Sequence, residues 1–374
     1  MVKPMLKSSF RLFTIHGIEV GVHYSWLIIF ALVTWSLSVY IFPMTPDIPR
    51  LASVEFWILG AVTAVLLFAS VLIHELAHSF VAQWRGIEAK SITLFIFGGV
   101  SNLAGEAKDA STEFLVAIVG PVMSFGLAAV MFALASVVDE PRTSLVLSYL
   151  FFINVTLGIF NLVPGFPLDG GRVLRSIIWS VTGNLRRATE WAASVGKVVA
   201  FLMGAYAIYL VVVAGSIIGG VWTAAIAWFL YNAARTSVEQ LVFEQRLSRL
   251  NVRDVATYDS TTVSADMRVS ELVDRYILAY ARRAVPVTQD GRLVGIVTVK
   301  DIASIPAERR AFTSVGEVMG GRDGLYTTRA DATVLDAFEV MEEHDLEQLP
   351  VMDADQPIGL LTRADVVRLL RIKG

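Results

Sequence analysis

Six apolar stretches, each long enough to cross a bilayer, limit what this chain can fold into. They cover residues 24–43, 56–84, 114–138, 145–163, 195–213 and 217–234. Hydrocarbon offers no water to the backbone, so these stretches are expected as helices. The last two are separated only by Ala214, Gly215 and Ser216 and are expected as a helical hairpin. Of all residues 55 % are hydrophobic and 17 % charged, and the excess of apolar residues belongs to this first part. Residues 240–374 read as an ordinary soluble domain. The expected fold is a polytopic α-helical membrane protein of six transmembrane helices with small interfacial β elements, followed by a soluble α/β tail.

Basic residues give the expected orientation. Lys3, Lys7 and Arg11 precede the first stretch; Arg85, Lys90 and Lys108 lie between the second and third. Arg172, Arg175, Arg186, Arg187 and Lys197 lie between the fourth and fifth, and Arg235 and Arg246 follow the sixth. The opposite loops hold Arg50 and Arg142. Lys and Arg concentrate on the cytoplasmic side, so a multi-pass membrane protein with both termini cytoplasmic is expected. The first stretch is long and lacks a small-residue cleavage site, so it reads as a retained anchor. A net charge of −3 argues against a nucleic-acid partner.

Two apolar pieces are too short to span. Residues 10–23 alternate around His16-Gly17, a hairpin pattern, and residues 91–97 are strand-like and run into Gly98-Gly99. Non-helical backbone at membrane depth needs protein or a water-filled cavity around it, so a cavity near the second stretch is expected.

The absence of cysteine excludes disulfides, thiolate catalysis and cysteine-ligated metals. Only five histidines are present, and two stand four residues apart in His74-Glu75-Leu76-Ala77-His78, within the second apolar stretch. On a helix those imidazoles share a face and can reach one zinc ion, while Glu75 can orient and deprotonate a bound water. Ionisable residues at membrane depth are costly and point to function. A catalytic zinc needs a third protein ligand. Asp169 is the well-placed carboxylate, in a Pro- and Gly-broken segment that also contains Asn161 and lies at the cytosolic end of the fourth stretch. Asn161 has two readings: a hydrogen-bond donor to the oxyanion of a tetrahedral intermediate, or a packing and helix-ending residue.

The tail contains an internal repeat with an offset of 64 residues. Ala284-Val285-Pro286-Val287 returns as Gln348-Leu349-Pro350-Val351, and the segment from Gly295 to Asp301 returns from Gly359 to Asp365. The expected division is a membrane domain over 1–236 and two modules over 246–306 and 310–374.

These residues resemble the site-2 protease family of intramembrane metalloproteases. The family combines H-E-x-x-H in one transmembrane helix with N-x-x-P-x-x-P-L-D-G-G in a later one, and both motifs are complete here, from His74 to His78 and from Asn161 to Gly171. Phe97-Gly98-Gly99 and the segment from Glu113 to Gly120-Pro121 are also similar to it. The tail resembles a pair of cystathionine-β-synthase (CBS) modules, found in one prokaryotic branch of the family. The resemblance implies one zinc ion held by His74, His78 and Asp169, with Glu75 as general base. It implies as substrate a single-span membrane protein, such as an anti-sigma factor or a membrane-tethered transcription factor. It also implies adenine nucleotide, ATP or AMP, at Thr298, Asp301, Thr362 and Asp365; the alternative for the pair is a homodimer contact alone. A helical substrate must unwind before attack, and the strand with Ser91, Thr93, Phe95 and Phe97 could pair with it at an edge or could be purely structural.

Two other classes compete with the protease. A transporter or channel with a CBS tail does not require H-E-x-x-H paired with a distant Asp-Gly-Gly, and further buried charges along a pathway are missing. A zinc sensor has no use for Glu75 beside its ligand.

Overall fold

The computed structural model describes residues 10–45, 52–258, 261–280, 282–320, 325–354 and 356–372. Lys3, Lys7 and Arg50 of the charge pattern lie outside them. The chain divides into two compact units, 1–241 and 242–374.

The first unit opens with strands β1 (Phe10–Ile15) and β2 (Ile18–Val22), an antiparallel hairpin turned at His16 and Gly17, which both have positive φ. Helix α1 (Ser25–Ser36) continues into a π-helical stretch, Leu37–Ile41. Helix α2 (Ser53–Trp84) is followed by β3 (Ala89–Phe95) and β4 (Gly98–Leu103). Then come α3 (Ala110–Ala135), α4 (Pro141–Asn161), α5 (Asp169–Thr182), α6 (Leu185–Val212) and α7 (Ile217–Leu247), the last crossing from the first unit into the second.

Five of these helices, α2, α3, α4, α6 and α7, are long and apolar enough to cross a membrane among the described residues. The first of the six expected spans is the exception. Its helical part, Ser25–Ile41, is a shorter apolar helix. At about 1.5 Å per residue it covers roughly 25 Å, short of a hydrocarbon core of about 30 Å. The helix ends just before Pro43, which cannot continue it.

Local sequence sets the helix ends. Asp109 caps α3 by accepting from the Thr112 amide at 2.8 Å. Glu140 caps α4 by accepting from the amides of Arg142 and Thr143, with Pro141 at the first helical position. Gly183 closes α5 in the left-handed conformation. Helix α3 lies at the centre, packed against α2, α4 and α5.

The four strands form one sheet in the order β1-β2-β3-β4, with β2 and β3 parallel and the other pairs antiparallel. The hairpin and the strand expected from sequence are therefore parts of one sheet. This corrects the idea of an open edge along Ser91, Thr93 and Phe95. Strand β3 is paired on both sides, Thr93 and Phe95 are buried, and Phe97 lies beyond the strand end. Such a strand has no free backbone groups to offer a peptide; among the described residues the free edge beside it is β4.

The second unit contains β5 (Val263–Ser264), α8 (Val269–Leu272), β6 (Ala284–Gln289), β7 (Arg292–Thr298) and α9 (Val299–Ala303). The repeat follows as β8 (Thr328–Arg329), α10 (Val334–Glu343), β9 (Gln348–Asp353), β10 (Gln356–Thr362) and α11 (Arg363–Ile372). Each repeat builds a three-stranded sheet, β5-β6-β7 and β10-β9-β8. Their cores are exchanged. Val252, in the turn that opens the first module, is buried with Val334, Leu349 and Leu361 of the second, and Val315, in the turn that opens the second, is buried with Val263, Val285 and Val297 of the first. Neither repeat closes its own hydrophobic face without the other's leading turn.

Candidate metal centre

His74 and His78 are one helical turn apart on α2, and both are buried. Asp169 reaches them from the first position of α5, 95 residues on from His74. One carboxylate oxygen, Oδ2, stands 3.1 Å from His74 Nε2 and 3.2 Å from His78 Nε2, and the two Nε2 atoms are 3.2 Å apart. This is the only His and carboxylate cluster fit for a metal among the described residues. Four ligands at about 2.0–2.2 Å in a tetrahedron stand roughly 3.3 Å from one another, so the three donors have the spacing zinc requires.

The surroundings orient both rings. His78 Nδ1 is 2.5 Å from the carbonyl oxygen of Val116, which can only accept, so Nδ1 carries the proton and Nε2 keeps its lone pair for a metal. His74 Nδ1 lies 2.9 Å from Ser124 Oγ. Both partners are on α3, and between them Gly120 passes directly under the rings: a Cβ there would lie 2.7 Å from His74 Nε2 and nearer still to His78. Only glycine lets α3 approach so closely.

The delivery of Asp169 depends on an irregular segment. Helix α4 ends at Asn161, and Pro164, Gly165 and Pro167 turn the chain back before α5 begins. Gly165 packs against Gly196 of α6 so tightly that a Cβ on it would be 2.6 Å from the Gly196 Cα. Burial raises the Asp169 carboxyl, and the two adjacent imidazoles outweigh it, so the group lies below the usual carboxylate range and is anionic, as a ligand must be.

Glu75 is next to His74 on α2, and its Oε2 accepts from Ser101 Oγ of β4 at 2.8 Å. Gly99, on the same strand, lies against the Glu75 side chain. Ser101, Val116 and Ser124 were not singled out by sequence reasoning. Ser124 could have been found, since it falls one turn beyond Gly120 on the same face of α3.

Other expected site residues are placed as follows. Asn161 is the last residue of α4, half-buried, and no side-chain hydrogen bond is found for it among the described residues. In the tail, Thr298 Oγ1 donates to Asp301 Oδ2 at 2.7 Å while the Asp301 amide donates back to Thr298 Oγ1, and Thr362 and Asp365 repeat the arrangement. These pairs are the capping boxes that start α9 and α11.

Known proteins are similar to this chain over both of its parts. The chain matches the description "Peptidase family M50" over residues 62–140 and 139–203, and "CBS domain" over 252–308 and 315–372. It is 36 % identical over 373 residues to a Mycobacterium tuberculosis protein named as the zinc metalloprotease Rip3, covering 98 % of this chain and 94 % of that one. It is 32 % identical to a Synechocystis protein named as the zinc metalloprotease sll0528, covering 98 % of this chain and 96 % of that one. The solved structure of a site-2 protease from Methanocaldococcus jannaschii is 32 % identical and covers 61 % of this chain and 94 % of that chain, with a TM-score of 0.43.

Proposed function

The chain belongs to peptidase family M50, the site-2 protease type of membrane zinc metalloprotease, and on that premise we propose that it hydrolyses a peptide bond in or beside the transmembrane segment of a membrane-protein substrate. His74, His78 and Asp169 would hold the zinc. The observation that carries this is the convergence of three donor atoms at 3.1–3.2 Å with Glu75 adjoining them. Bound there, zinc would acidify a water and polarise the scissile carbonyl.

The rest of the chemistry belongs to the chain. Glu75 takes the proton of the attacking water and later hands it to the leaving nitrogen. Ser101 holds one oxygen of that carboxylate and leaves Oε1 for the water. Asn161 donates to the developing oxyanion. The substrate, once unwound, adds along the edge of β4, which brings an extended peptide beside Glu75.

Basic residues support a cytosolic position for both termini, with the helix Ser25–Ile41 counted as a crossing. Arg175 is removed from that count because it is buried in an ion pair. The substrate class is a single-span regulator such as an anti-sigma factor or a membrane-tethered transcription factor.

Cleavage of a labelled single-span substrate in proteoliposomes tests the reading. Glu75→Ala should retain zinc and lose cleavage; full cleavage by that variant refutes it. For the tail, adenine nucleotide binds beside α9 and α11 and modulates cleavage; each capping box uses Oδ2 of its aspartate, and Asp365 Oδ1 stands 3.8 Å from Arg368 Nη1, a cation beside the expected phosphate end. Titration of the full-length protein with AMP and ATP checks this. No heat with either nucleotide would favour a homodimer contact as the role of the CBS pair.

A further inference from the structure

Glu113 stands on the first turn of α3 with no exposure at all, and Arg175 of α5 is 8 % exposed. Arg175 Nε donates to Glu113 Oε1 at 2.5 Å, and Nη2 reaches the same oxygen. The guanidinium also lies over the Phe166 ring, 5.2 Å from its centroid, and Nη1 stands 3.6 Å from Glu106. Arg172 Nε approaches Glu113 Oε1 at 4.0 Å. Neither Glu113 nor Arg175 is among the metal donors, and proton transfer by Glu75 makes no use of them.

Stability alone does not explain such a pair. Apolar side chains of similar volume serve as well or better in a buried position, because two charges taken from water repay their desolvation only in part. What the pair does supply is registry, a fixed distance and direction between two helices.

Both helices matter to the metal centre. Glu113, Val116, Gly120 and Ser124 are spaced by three, four and four residues and so share one face of α3. Val116 and Ser124 orient the two imidazoles, and Gly120 passes beneath them. Arg175 follows Asp169 on α5 by less than two turns, and the ring it covers, Phe166, belongs to the segment that leads into Asp169. One face of α3 therefore carries both the direct contacts to the two histidines and the ion pair to the helix that bears Asp169.

We infer that the Glu113–Arg175 pair is a positioning device that sets Asp169 against the two histidines. It controls the slide and rotation of α5 along α3. A metal site tolerates ligand distances off by only about 0.2 Å, so small changes of helix register are felt there. The inference rests on the proposal that Asp169 is a ligand.

The test is a double-mutant cycle on zinc affinity, measured by chelator competition with the purified full-length protein in detergent. Glu113→Gln, and separately the paired change Glu113→Met with Arg175→Met, should weaken zinc binding about ten- to a hundredfold, the range for loss of a partner that orients a ligand. In an Asp169→Ala background the same changes should have no further effect. Arg175→Lys keeps the charge but not the two-pronged contact, and should fall between wild type and Glu113→Gln. Equal weakening with and without Asp169, or unchanged affinity in both, overturns the inference. So does failure of both Glu113→Gln and the paired variant to fold by circular dichroism, because the pair is then a folding requirement. If Asp169→Ala itself binds zinc like wild type, it is the ligand assignment that fails instead.

Discussion

Replacing Gly120 by alanine puts one methyl group beneath the two imidazoles. The added Cβ would lie 2.7 Å from His74 Nε2, and closer to His78, where ordinary contact begins at 3.4 Å. Restoring contact distance to His74 takes a displacement of about 0.7 Å, against the roughly 0.2 Å by which metal–ligand distances can vary. The rings cannot give way cheaply. His78 Nδ1 is tied to the Val116 carbonyl on the same helix as the new methyl, and His74 Nδ1 to Ser124. Overpacking of this kind costs about 1–3 kcal/mol, which a membrane helix bundle can survive, so the variant is expected to fold. Gly120→Ala should thus purify as a helical, monodisperse protein with zinc affinity reduced at least a hundredfold and no measurable cleavage. Gly126→Ala is the matched control: it lies on the same helix with nothing within 4 Å of its Cβ, and should bind zinc like wild type. Metal content by mass spectrometry and chelator competition on both variants decide the matter. Stoichiometric zinc at wild-type affinity in Gly120→Ala would refute the geometry of the site.

Three further outcomes follow from particular contacts. Ser124→Ala removes the partner of His74 Nδ1 and should weaken zinc about tenfold or more while the helices stay intact, as chelator competition with circular dichroism would record. Ser101→Ala frees Glu75 to turn away from the water; a hydrogen bond to a charged group is worth about 1.5–3 kcal/mol, so kcat should fall roughly ten- to a hundredfold with zinc content unchanged. In the tail, Thr298→Val deletes one half of a capping box and should lower the stability of the second unit by about 1 kcal/mol, seen as an earlier thermal transition of the full-length protein.

Much of the membrane unit was legible as pattern. Five of the six apolar stretches are long helices, because an apolar run of that length has no other way to satisfy its backbone in a bilayer. The first stretch holds a shorter apolar helix, Ser25–Ile41, because hydropathy alone does not weigh the proline that follows it. Helix α5 was missed because it is amphipathic and short, and its Arg172 and Arg175 read as loop cations when Arg175 is buried. The pairing of β3 on both sides was also invisible, since a period of two reports which face is buried and not how many neighbours a strand has.

The metal centre divides along the same line. His74, Glu75 and His78 are determined by the sequence itself, because four-residue spacing on one apolar helix puts both rings on one face whatever surrounds them. Asp169 was located by depth and by the broken helix before it. The groups that make these residues a site come from elsewhere in the chain: Val116 is 38 residues from His78, Ser124 is 50 from His74, Ser101 is 26 from Glu75, and Arg175 is 62 from Glu113. No local periodicity records such partners. The packing of β4 on α2 brings Ser101 to Glu75, and the packing of α3 between α2 and α5 brings the others together, with close backbone approach at Gly120 and a buried ion pair.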